Sequence, residues 1–470
     1  MKRLKNFRFL AVLFLIILFN FGPVEAKKGK VRSPIVIGAE DRAAQILKKY
    51  KIELTDVSLE IRNEDEVLDS VNAKQLKIPA SVTKLLTTYA VLQRFPIGFK
   101  FKTELYYDGE NLYLKGGGDP AFVSEKMWYL VNEFTRSQIQ KIKKDIIVDD
   151  TLFDDIRFDA SRESKRVDRA YDSPIGAMSF NWNAVNIFIR PGDINKKAYV
   201  TVDPESDVYE LINSTKTVSG AAKKDLVVSI ANSTKKITVS GEISSRAEEK
   251  AIFKGIGDPD LWSGNQLKSF LKQRNILVLG QIRKGIVPAN AKLVATAESK
   301  SIAEILADMN KFSNNFVAEM LTKNLAALAV KQNASLKQGV EIIQNELKNL
   351  GLTAKDVYVE NPSGFSTENR LSATALNQVL SAMKNNFSIY PAALESLSIA
   401  GIDGTLRKRM KNSEGWVRGK TGYLDGVVSL AGYVGRKNGD IYTFSLLYNG
   451  PRDEAIVREA FDQIVLSLLK

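Results

Sequence analysis

The stretch that decides the fold is residues 78–96, IPASVTKLLTTYAVLQRFP. Pro79 favours an extended entry just before a first helical turn, and apolar residues then recur at helical spacing up to the closing Phe-Pro dipeptide. Ser81 is predicted to lie at the N-terminus of this helix, with Lys84 three residues further on and on the same face. Because the helix is otherwise apolar, we expect it to be a buried central helix.

A serine and a lysine in this arrangement can act as a nucleophile and its base. Backbone N–H groups near the serine can hold a developing oxyanion, and desolvation of the lysine is expected to lower its pKa enough to take a proton. The spacing alone is weak evidence, because Ser-x-x-Lys also begins at four other serines: Ser233, Ser269, Ser381 and Ser467. The interpretation therefore depends on context and on motifs further along the chain.

The composition narrows the chemistry that is available. The 470 residues are 44% hydrophobic and 26% charged, which is typical of a globular protein large enough for two or three structural units. The chain has no cysteine and no histidine, which removes disulfides, thiol nucleophiles, Ser-His-Asp triads and sites with cysteine or histidine ligands. A hydrolase of this composition must use Lys, Asp, Glu or Tyr as its base, and we predict no metal and no cofactor.

The N-terminus predicts export. A basic segment, an apolar run at residues 9–21 and the small residues before Ala26 match a secretory signal peptide spanning residues 1–26. An uncleaved membrane anchor is the alternative. Cleavage near Ala26 would lower the net charge from +13 to +10 and leave a periplasmic or extracellular protein. Such a basic protein is expected either to associate loosely with an anionic wall or membrane surface, or simply to have a lysine-rich surface; nucleic acid is not an expected partner.

The order of predicted elements indicates a discontinuous catalytic domain and an insertion. A hairpin precedes the central helix, and the last third of the chain predicts a strand, a turn, a second strand and a helix. Residues 101–289 instead hold short alternating stretches and turn formers, with a smaller β unit nested at about 196–252. We therefore predict an α+β fold in which residues 34–100 and 290–470 form an antiparallel sheet flanked by helices, with a mostly-β insertion between them.

Two more short motifs follow in the C-terminal half. The tripeptide SNN at residues 313–315 interrupts a helical pattern, and KTG at residues 420–422 is predicted to open an edge strand. Ser-x-Asn also occurs elsewhere in the chain, whereas Lys-Thr-Gly occurs once. In this order and with these predicted local structures, the three motifs form the signature of serine penicillin-binding proteins and β-lactamases.

More closely, the sequence resembles the class C low-molecular-mass penicillin-binding proteins, the D-alanyl-D-alanine carboxypeptidase/endopeptidase family, over nearly the whole mature chain. Five further stretches carry the resemblance: LKGGGDP at 114–120, IVDDTLFD at 147–154, SPIGAMSFN at 173–181, NPSGFSTENRLS at 361–372 and KTGYLDGVVSLAGY at 420–433. The resemblance implies a serine β-lactamase/transpeptidase-like domain with a large insertion after the first motif. It also implies an exported carboxypeptidase and/or endopeptidase that acts on peptidoglycan muropeptides and is inhibited covalently by β-lactams.

By the same resemblance, the catalytic roles fall on five residues. Ser81 Oγ attacks the carbonyl of the penultimate D-alanine, and neutral Lys84 takes the proton of the hydroxyl. The backbone N–H groups of Ser81 and Tyr423 form the oxyanion hole. Ser313 and Lys420 relay a proton to the leaving amine, and water then hydrolyses the acyl-enzyme.

The resemblance also implies how substrate is held. Lys420 and Thr421 supply a cation and a hydroxyl for the terminal carboxylate, and Asn315 hydrogen-bonds the amide backbone of the substrate. Gly422 permits close approach of strand and ligand. The oligomeric state is left open.

The sequence departs from the family pattern at three places. Tyr423 replaces the Thr that commonly follows Lys-Thr-Gly, Thr367 stands where an Arg is usual, and Asn-Pro-Ser at residues 361–363 replaces Asp-Gly-Ser. These changes bear on substrate preference more than on chemistry. The alternatives are a β-lactamase, for which no deacylating Glu can be identified, an esterase of the same fold, and a non-catalytic wall-binding relative, which would normally have lost one of the three motif residues Ser81, Lys84 and Lys420.

Overall fold

A computed structural model describes residues 42–161 and 172–470. The predicted signal peptide at residues 1–26 therefore lies outside the described residues. Within the described ranges, every helix is too short or too polar to cross a bilayer. The α-helices of these ranges are Arg42–Lys49 (α1), Lys84–Arg94 (α2), Ser124–Thr135 (α3), Pro259–Gln273 (α4), Ile302–Lys311 (α5), Asn315–Ala327 (α6), Leu336–Asn349 (α7), Ala373–Lys384 (α8), Tyr390–Ser396 (α9) and Glu454–Ser467 (α10).

The strands of the same ranges form one large sheet, one medium sheet and several small ones. In chain order they are Val57–Asn63 (β1), Glu66–Val71 (β2), Lys102–Tyr107 (β3), Leu112–Lys115 (β4), Lys141–Ile142 (β5), Ile146–Asp149 (β6), Ala184–Arg190 (β7), Tyr199–Asp203 (β8), Glu210–Val218 (β9), Val227–Ala231 (β10), Lys236–Ser244 (β11), Lys250–Gly255 (β12), Leu277–Val278 (β13), Ile282–Lys284 (β14), Lys292–Glu298 (β15), Val357–Tyr358 (β16), Arg370–Leu371 (β17), Ser398–Ile399 (β18), Val417–Leu424 (β19), Val427–Gly435 (β20) and Ile441–Asn449 (β21).

The large sheet joins the two ends of the described chain. Its order is β18-β19-β20-β21-β1-β2, with antiparallel pairing throughout, and β1 of the N-terminal hairpin lies against β21. Strand β20 is apolar on both faces: Leu430 packs in a core shared with α1 and α10, whereas Ala431 and Tyr433 pack in a core shared with α2 and with α5 to α9. The sheet therefore carries helices on both faces, as the sequence predicts for the catalytic part.

Helix α2 is the central helix of this part. All residues from Lys84 to Leu92 are buried, and the apolar ones belong to the core that contains α5 to α9. The prediction of a buried helix behind the first motif is confirmed. The only charged side chain within this buried stretch is that of Lys84, so its polar contacts must come from the neighbouring elements.

A second core lies in the middle of the sequence. A five-stranded mixed sheet, β14-β6-β4-β3-β15, packs against α3 and α4, and two three-stranded sheets, β12-β7-β8 and β10-β11-β9, continue the same core. Strand β15 follows residue 289, the predicted end of the insertion, yet it pairs antiparallel with β3. Strand β7 precedes the predicted nested unit at 196–252 and pairs with both β8 and β12.

The structure corrects two local predictions. Ser81 lies in a single 3₁₀ turn, Ala80–Thr83, and α2 begins only at Lys84. The backbone of Ala80 is left-handed, with φ 49°, so the chain cannot enter a regular α-helix at that point. The KTG motif does not open its strand, because β19 already begins at Val417 and pairs with β20 along its whole length.

Candidate active site

The turn that carries Ser81 is packed against glycines from two other elements. A Cβ on Gly364 would lie 2.0 Å from the carbonyl oxygen of Ala80, and Gly364 itself has a φ of +78°. A Cβ on Gly422, in β19, would lie 2.9 Å from both the Ser81 nitrogen and the Pro79 carbonyl oxygen. Glycine at these positions thus allows a loop and a strand to touch the backbone of the turn.

Lys84 lies fully buried beneath the turn and binds three acceptors. Its Nζ lies 3.2 Å from Ser81 Oγ, 2.7 Å from Asn315 Oδ1 and 2.5 Å from the carbonyl oxygen of Ser363. The first contact lies within the first motif, the second comes from the first residue of α6, and the third comes from the loop after α7. The amine is therefore fixed in position beside the serine hydroxyl by groups from three parts of the chain.

Lys420 is a second buried lysine at the same site. Its Nζ donates to Ser313 Oγ at 2.9 Å and to the carbonyl oxygen of Thr421 at 2.6 Å. Among the residues that the structure describes, no carboxylate forms an ion pair with it. Burial without a counterion disfavours the charged form and lowers the pKa of Lys420 to about 7. Near neutral pH, this group can therefore both give and take a proton.

The SNN motif joins the two lysines. Ser313 accepts from Lys420, Asn315 accepts from Lys84, and the side chain of Asn314 between them caps α6 by accepting from the Val317 N–H. The backbone of Ser313 is left-handed, with φ 55°, which is uncommon for a residue other than glycine. The bend lets two residues of one tripeptide face different partners.

Strand β19 has a free edge beside the site. The short strand β18 pairs only with Arg418 and Gly419, and no other described strand pairs with that side of β19. Thr421 Oγ1 donates to Thr405 Oγ1 at 2.8 Å, and Tyr423 is 54% exposed with the Arg458 guanidinium 5.8 Å from its ring centre. The backbone of residues 420–424 is thus available to an extended peptide laid along it.

The structure brings the predicted site residues together in two linked groups. The first is Ser81, Lys84 and Asn315, and the second is Ser313, Lys420 and Thr421. Gly422 contacts the Ser81 turn, which places Tyr423 next to it in β19. Within the described residues, no group of three or more acidic, His or Cys side chains could hold a metal ion.

The sequence analysis did not predict that the loop between α7 and α8 contacts Lys84 through the Ser363 carbonyl. Asn361 Oδ1 accepts from the N–H of Ser363 at 2.9 Å and from its Oγ at 2.5 Å, which orients the Ser363 carbonyl toward the lysine. Asn361 Nδ2 donates to Asp159 Oδ2 at 2.5 Å and to Glu319 Oε1 at 3.3 Å. The stretch NPSGFSTENRLS was recognisable only as a family motif, and nothing in its spacing indicates these contacts.

A second asparagine fixes the same loop. Asn369 Oδ1 accepts from the N–H groups of Glu360 and Asn361, and Nδ2 donates to the Asn361 carbonyl oxygen at 2.8 Å. Nδ2 also lies 3.3 Å from Thr83 Oγ1, in the turn that carries the serine. The loop and the turn are thus hydrogen-bonded to each other.

Comparison of the sequence with known proteins finds one matching family. The sequence profile of the D-Ala-D-Ala carboxypeptidase 3 (S13) family matches residues 42–469. A D-alanyl-D-alanine carboxypeptidase of Actinomadura sp. (strain R39) is 27% identical over 409 residues, which is 82% of this chain and 76% of that protein.

Solved structures show the same fold. Penicillin binding protein 4 from Haemophilus influenzae has a TM-score of 0.78 at 21% identity, covering 91% of this chain and 99% of that one, and a second structure of it holds a β-lactam. A predatory peptidoglycan endopeptidase from Bdellovibrio bacteriovorus has a TM-score of 0.52 at 17% identity, covering 88% of this chain and 91% of that one.

Proposed function

The chain belongs to the D-Ala-D-Ala carboxypeptidase 3 (S13) family of serine-type hydrolases, and from that premise we propose that it cleaves D-alanyl bonds in peptidoglycan stem peptides through an acyl-enzyme on Ser81. The observation that carries the proposal is the 3.2 Å contact between Lys84 Nζ and Ser81 Oγ, because a nucleophile needs its base within hydrogen-bond reach. Whether the enzyme removes a terminal D-alanine or opens a cross-link depends on how much peptide the cleft admits beyond that bond.

In the acylation step, the Ser81 Oγ forms a bond to the carbonyl carbon of the penultimate D-alanine while Lys84 takes the hydroxyl proton. The resulting oxyanion is held by the backbone N–H groups of Ser81 and Tyr423, on the two sides of the contact that Gly422 permits. The bond to the leaving amine then breaks. Ser313 passes its hydroxyl proton to that amine and takes one in turn from Lys420, which donates to its Oγ.

In the second step, water attacks the ester carbonyl and gives a proton back to the Ser313 and Lys420 pair, and the bond to Ser81 Oγ breaks as Lys84 returns its proton to the serine. Substrate recognition is assigned to the free edge of β19 and to neighbouring side chains. Lys420 and Thr421 bind the terminal carboxylate, and Asn315 binds the amide backbone of the substrate. Because such a substrate lies outside the cytoplasm, we also propose that the chain is exported, in keeping with its predicted signal peptide.

Covalent labelling with a fluorescent penicillin tests the proposal. The wild-type protein is expected to give a stable adduct at Ser81, identified by peptide mass spectrometry, and Ser81→Ala is expected to give none. A matched control is Ser388→Ala, which changes an exposed serine hydrogen-bonded only to Asn386 among the described residues. Consumption of penicillin without an adduct would instead indicate a β-lactamase, and intact penicillin without an adduct would indicate a non-catalytic relative.

A further inference from the structure

A groove on the outside of the second core has features of a ligand site and takes no part in the proposed chemistry. Its volume is about 860 Å³, and aromatic side chains from α3 and α4 form its floor. Trp128 is 52% exposed and Tyr129 is 46% exposed, whereas Phe270 of α4 contacts the buried Phe180 at a ring distance of 6.2 Å. Neighbouring aromatic side chains that are both exposed form the kind of apolar patch, rimmed by polar groups, that is found at binding sites.

The aromatic floor is held in place before any ligand arrives. Arg274, which directly follows α4, places its guanidinium 5.4 Å from the ring centre of Trp128 in α3. This cation–π contact stabilises the position of the indole. Within the described residues, neither the indole N–H of Trp128 nor the hydroxyl of Tyr129 forms a hydrogen bond. Both polar groups are thus available to a ligand, beside ring faces that can take its apolar surface.

The rim of the groove is polar but balanced in charge. Two lysines, Lys100 and Lys126, stand among two glutamates, Glu125 and Glu298, and the Lys100 to Glu298 distance is 3.6 Å. A polyanion or an anionic membrane surface would be favoured by a large excess of positive charge, whereas this groove, even with Arg274 beside Trp128, has an excess of only one. The rim suits a neutral ligand that offers many hydrogen-bond donors and acceptors.

The groove lies where the chain passes between the two cores. Phe101 and Ser299 exchange hydrogen bonds at the point where β3 begins and β15 ends, and Lys100 and Glu298 are their immediate neighbours. A ligand in the groove would therefore lie beside the catalytic part of the chain.

We propose that this groove binds the glycan backbone of peptidoglycan, a neutral polymer of N-acetylated amino sugars, and so holds the polymer whose stem peptides the enzyme cleaves. A pyranose ring has one apolar C–H face, which packs on Trp128 or Tyr129, and hydroxyl and acetamido edges, which match the rim. A second contact on the same polymer raises the effective concentration of its stem peptides at Ser81. The choice of this glycan rests on the proposed function.

The binding test uses the full-length Ser81→Ala chain and soluble, neutral oligomers of β-1,4-linked N-acetylglucosamine, because strands stripped of stem peptides by an amidase would carry a free carboxylate on each lactyl group. Titration calorimetry and tryptophan fluorescence are expected to show saturable binding that is insensitive to salt between about 0.05 and 0.5 M, because the ligand is neutral. Trp128→Ala is expected to weaken binding by about tenfold or more, and Trp128→Phe to retain most of it. The control Trp416→Ala removes another partly exposed tryptophan, outside the groove, and should leave the affinity unchanged.

Absence of saturable binding, or equal losses in Trp128→Ala and Trp416→Ala, would overturn the inference. Binding that disappears at high salt would also overturn it. So would sedimentation analysis that shows a dimer of the chain whose interface is this groove. A separate activity arm uses protein with intact Ser81. In it, Trp128→Ala should cleave a short soluble pentapeptide at the wild-type rate and intact sacculi several-fold more slowly. If penicillin labelling failed while glycan binding remained, the proposed function would be refuted and the proposed glycan site would not.

Discussion

At the scale of single residues, the site is built on two buried lysines in different surroundings. Lys84 binds Ser81 Oγ, the Asn315 side chain and the Ser363 carbonyl, whereas Lys420 binds only the Ser313 hydroxyl and a backbone carbonyl among its described neighbours. Burial without a counterion brings the pKa of Lys420 to about 7. Near neutral pH, the charge of this lysine is therefore easily changed.

The first prediction concerns the pH dependence of Lys420. Since the proposed substrate carboxylate binds the charged form, kcat/KM for D-alanine release is expected to fall as the pH rises through an apparent pKa near 7. A pH profile on a soluble pentapeptide measures this descending limb. In Lys420→Arg the side chain stays charged at every accessible pH. The variant should therefore be less active than the wild type, and its pH profile should have no descending limb near pH 7.

The same shift has a consequence for stability. The folded pKa of Lys420 lies below the unfolded value of 10.5, so the unfolded chain binds more protons between about pH 7 and 10.5, and this group favours folding increasingly as the pH rises through that window. Lys420→Met should therefore gain thermal stability relative to the wild type at pH 7, and the gain should shrink by pH 10. A descending activity limb that is unchanged in Lys420→Arg, or a stability difference independent of pH, would refute the assignment.

At the scale of elements, the loop between α7 and α8 contacts Lys84, the proposed base. Asn361 orients the Ser363 carbonyl that accepts from Lys84, and Gly364 lets the loop touch the Ser81 turn. Through Asp159, the same asparagine is hydrogen-bonded to a segment of the middle of the chain, far from Ser81 in sequence. Because the loop contacts Lys84 and the Ser81 turn, we propose that its role is one of positioning.

The second prediction is that Asn361→Ala slows acylation without weakening initial binding. Loss of the two hydrogen bonds to Ser363 frees its carbonyl, and displacement of Lys84 from the serine hydroxyl should reduce the acylation rate by about 10- to 100-fold. Stopped-flow acylation by penicillin separates the rate constant from the dissociation constant of the first complex. Asn438→Ala, in the exposed turn between β20 and β21, is the matched control. A change confined to the dissociation constant would contradict a positioning role.

The loop also shows how far sequence could lead. Ser81, Lys84 and the SNN and KTG motifs could be located from sequence because each is a short motif of fixed spacing, and together they stand in the order of a known signature. The contacts of Asn361 with Glu319 and Asp159 join residues 42 and 202 positions apart, and no local pattern records such pairs. Local spacing likewise predicted the central helix but placed its start too early, because the left-handed backbone of Ala80 depends on packing against distant glycines.

At the scale of the whole molecule, the two ends of the middle part of the chain pair with each other in one sheet, and this part also contacts α6. Because β15 pairs with β3, we propose that the inserted domain predicted at 101–289 extends to Glu298. The GGGDP turn after β4 reaches α6, where Asn324 Nδ2 donates to the Gly118 carbonyl oxygen at 2.8 Å. Asp119 follows directly in this turn, so a charge on its carboxyl would develop at the junction of the two parts.

The third prediction assigns a pH-dependent loss of stability to that junction. Asp119 is 2% exposed, its Oδ1 accepts from the Ala121 N–H, and its Oδ2 has no partner among the described residues, so burial raises the pKa to about 7. A folded pKa above the unfolded value means that the stabilising contribution is full below about pH 4 and is lost as the pH rises through about 7. Asp119→Asn keeps the contact with Ala121 and cannot ionise. The difference in Tm between variant and wild type should therefore grow in favour of the variant from pH 5 to pH 8. The exposed Asp65→Asn, in the turn between β1 and β2, is the control, with a difference that should stay flat. If the Asp119→Asn difference were equally flat, the carboxyl would already be ionised at pH 5, and the junction would have to hold a counterion close to Oδ2.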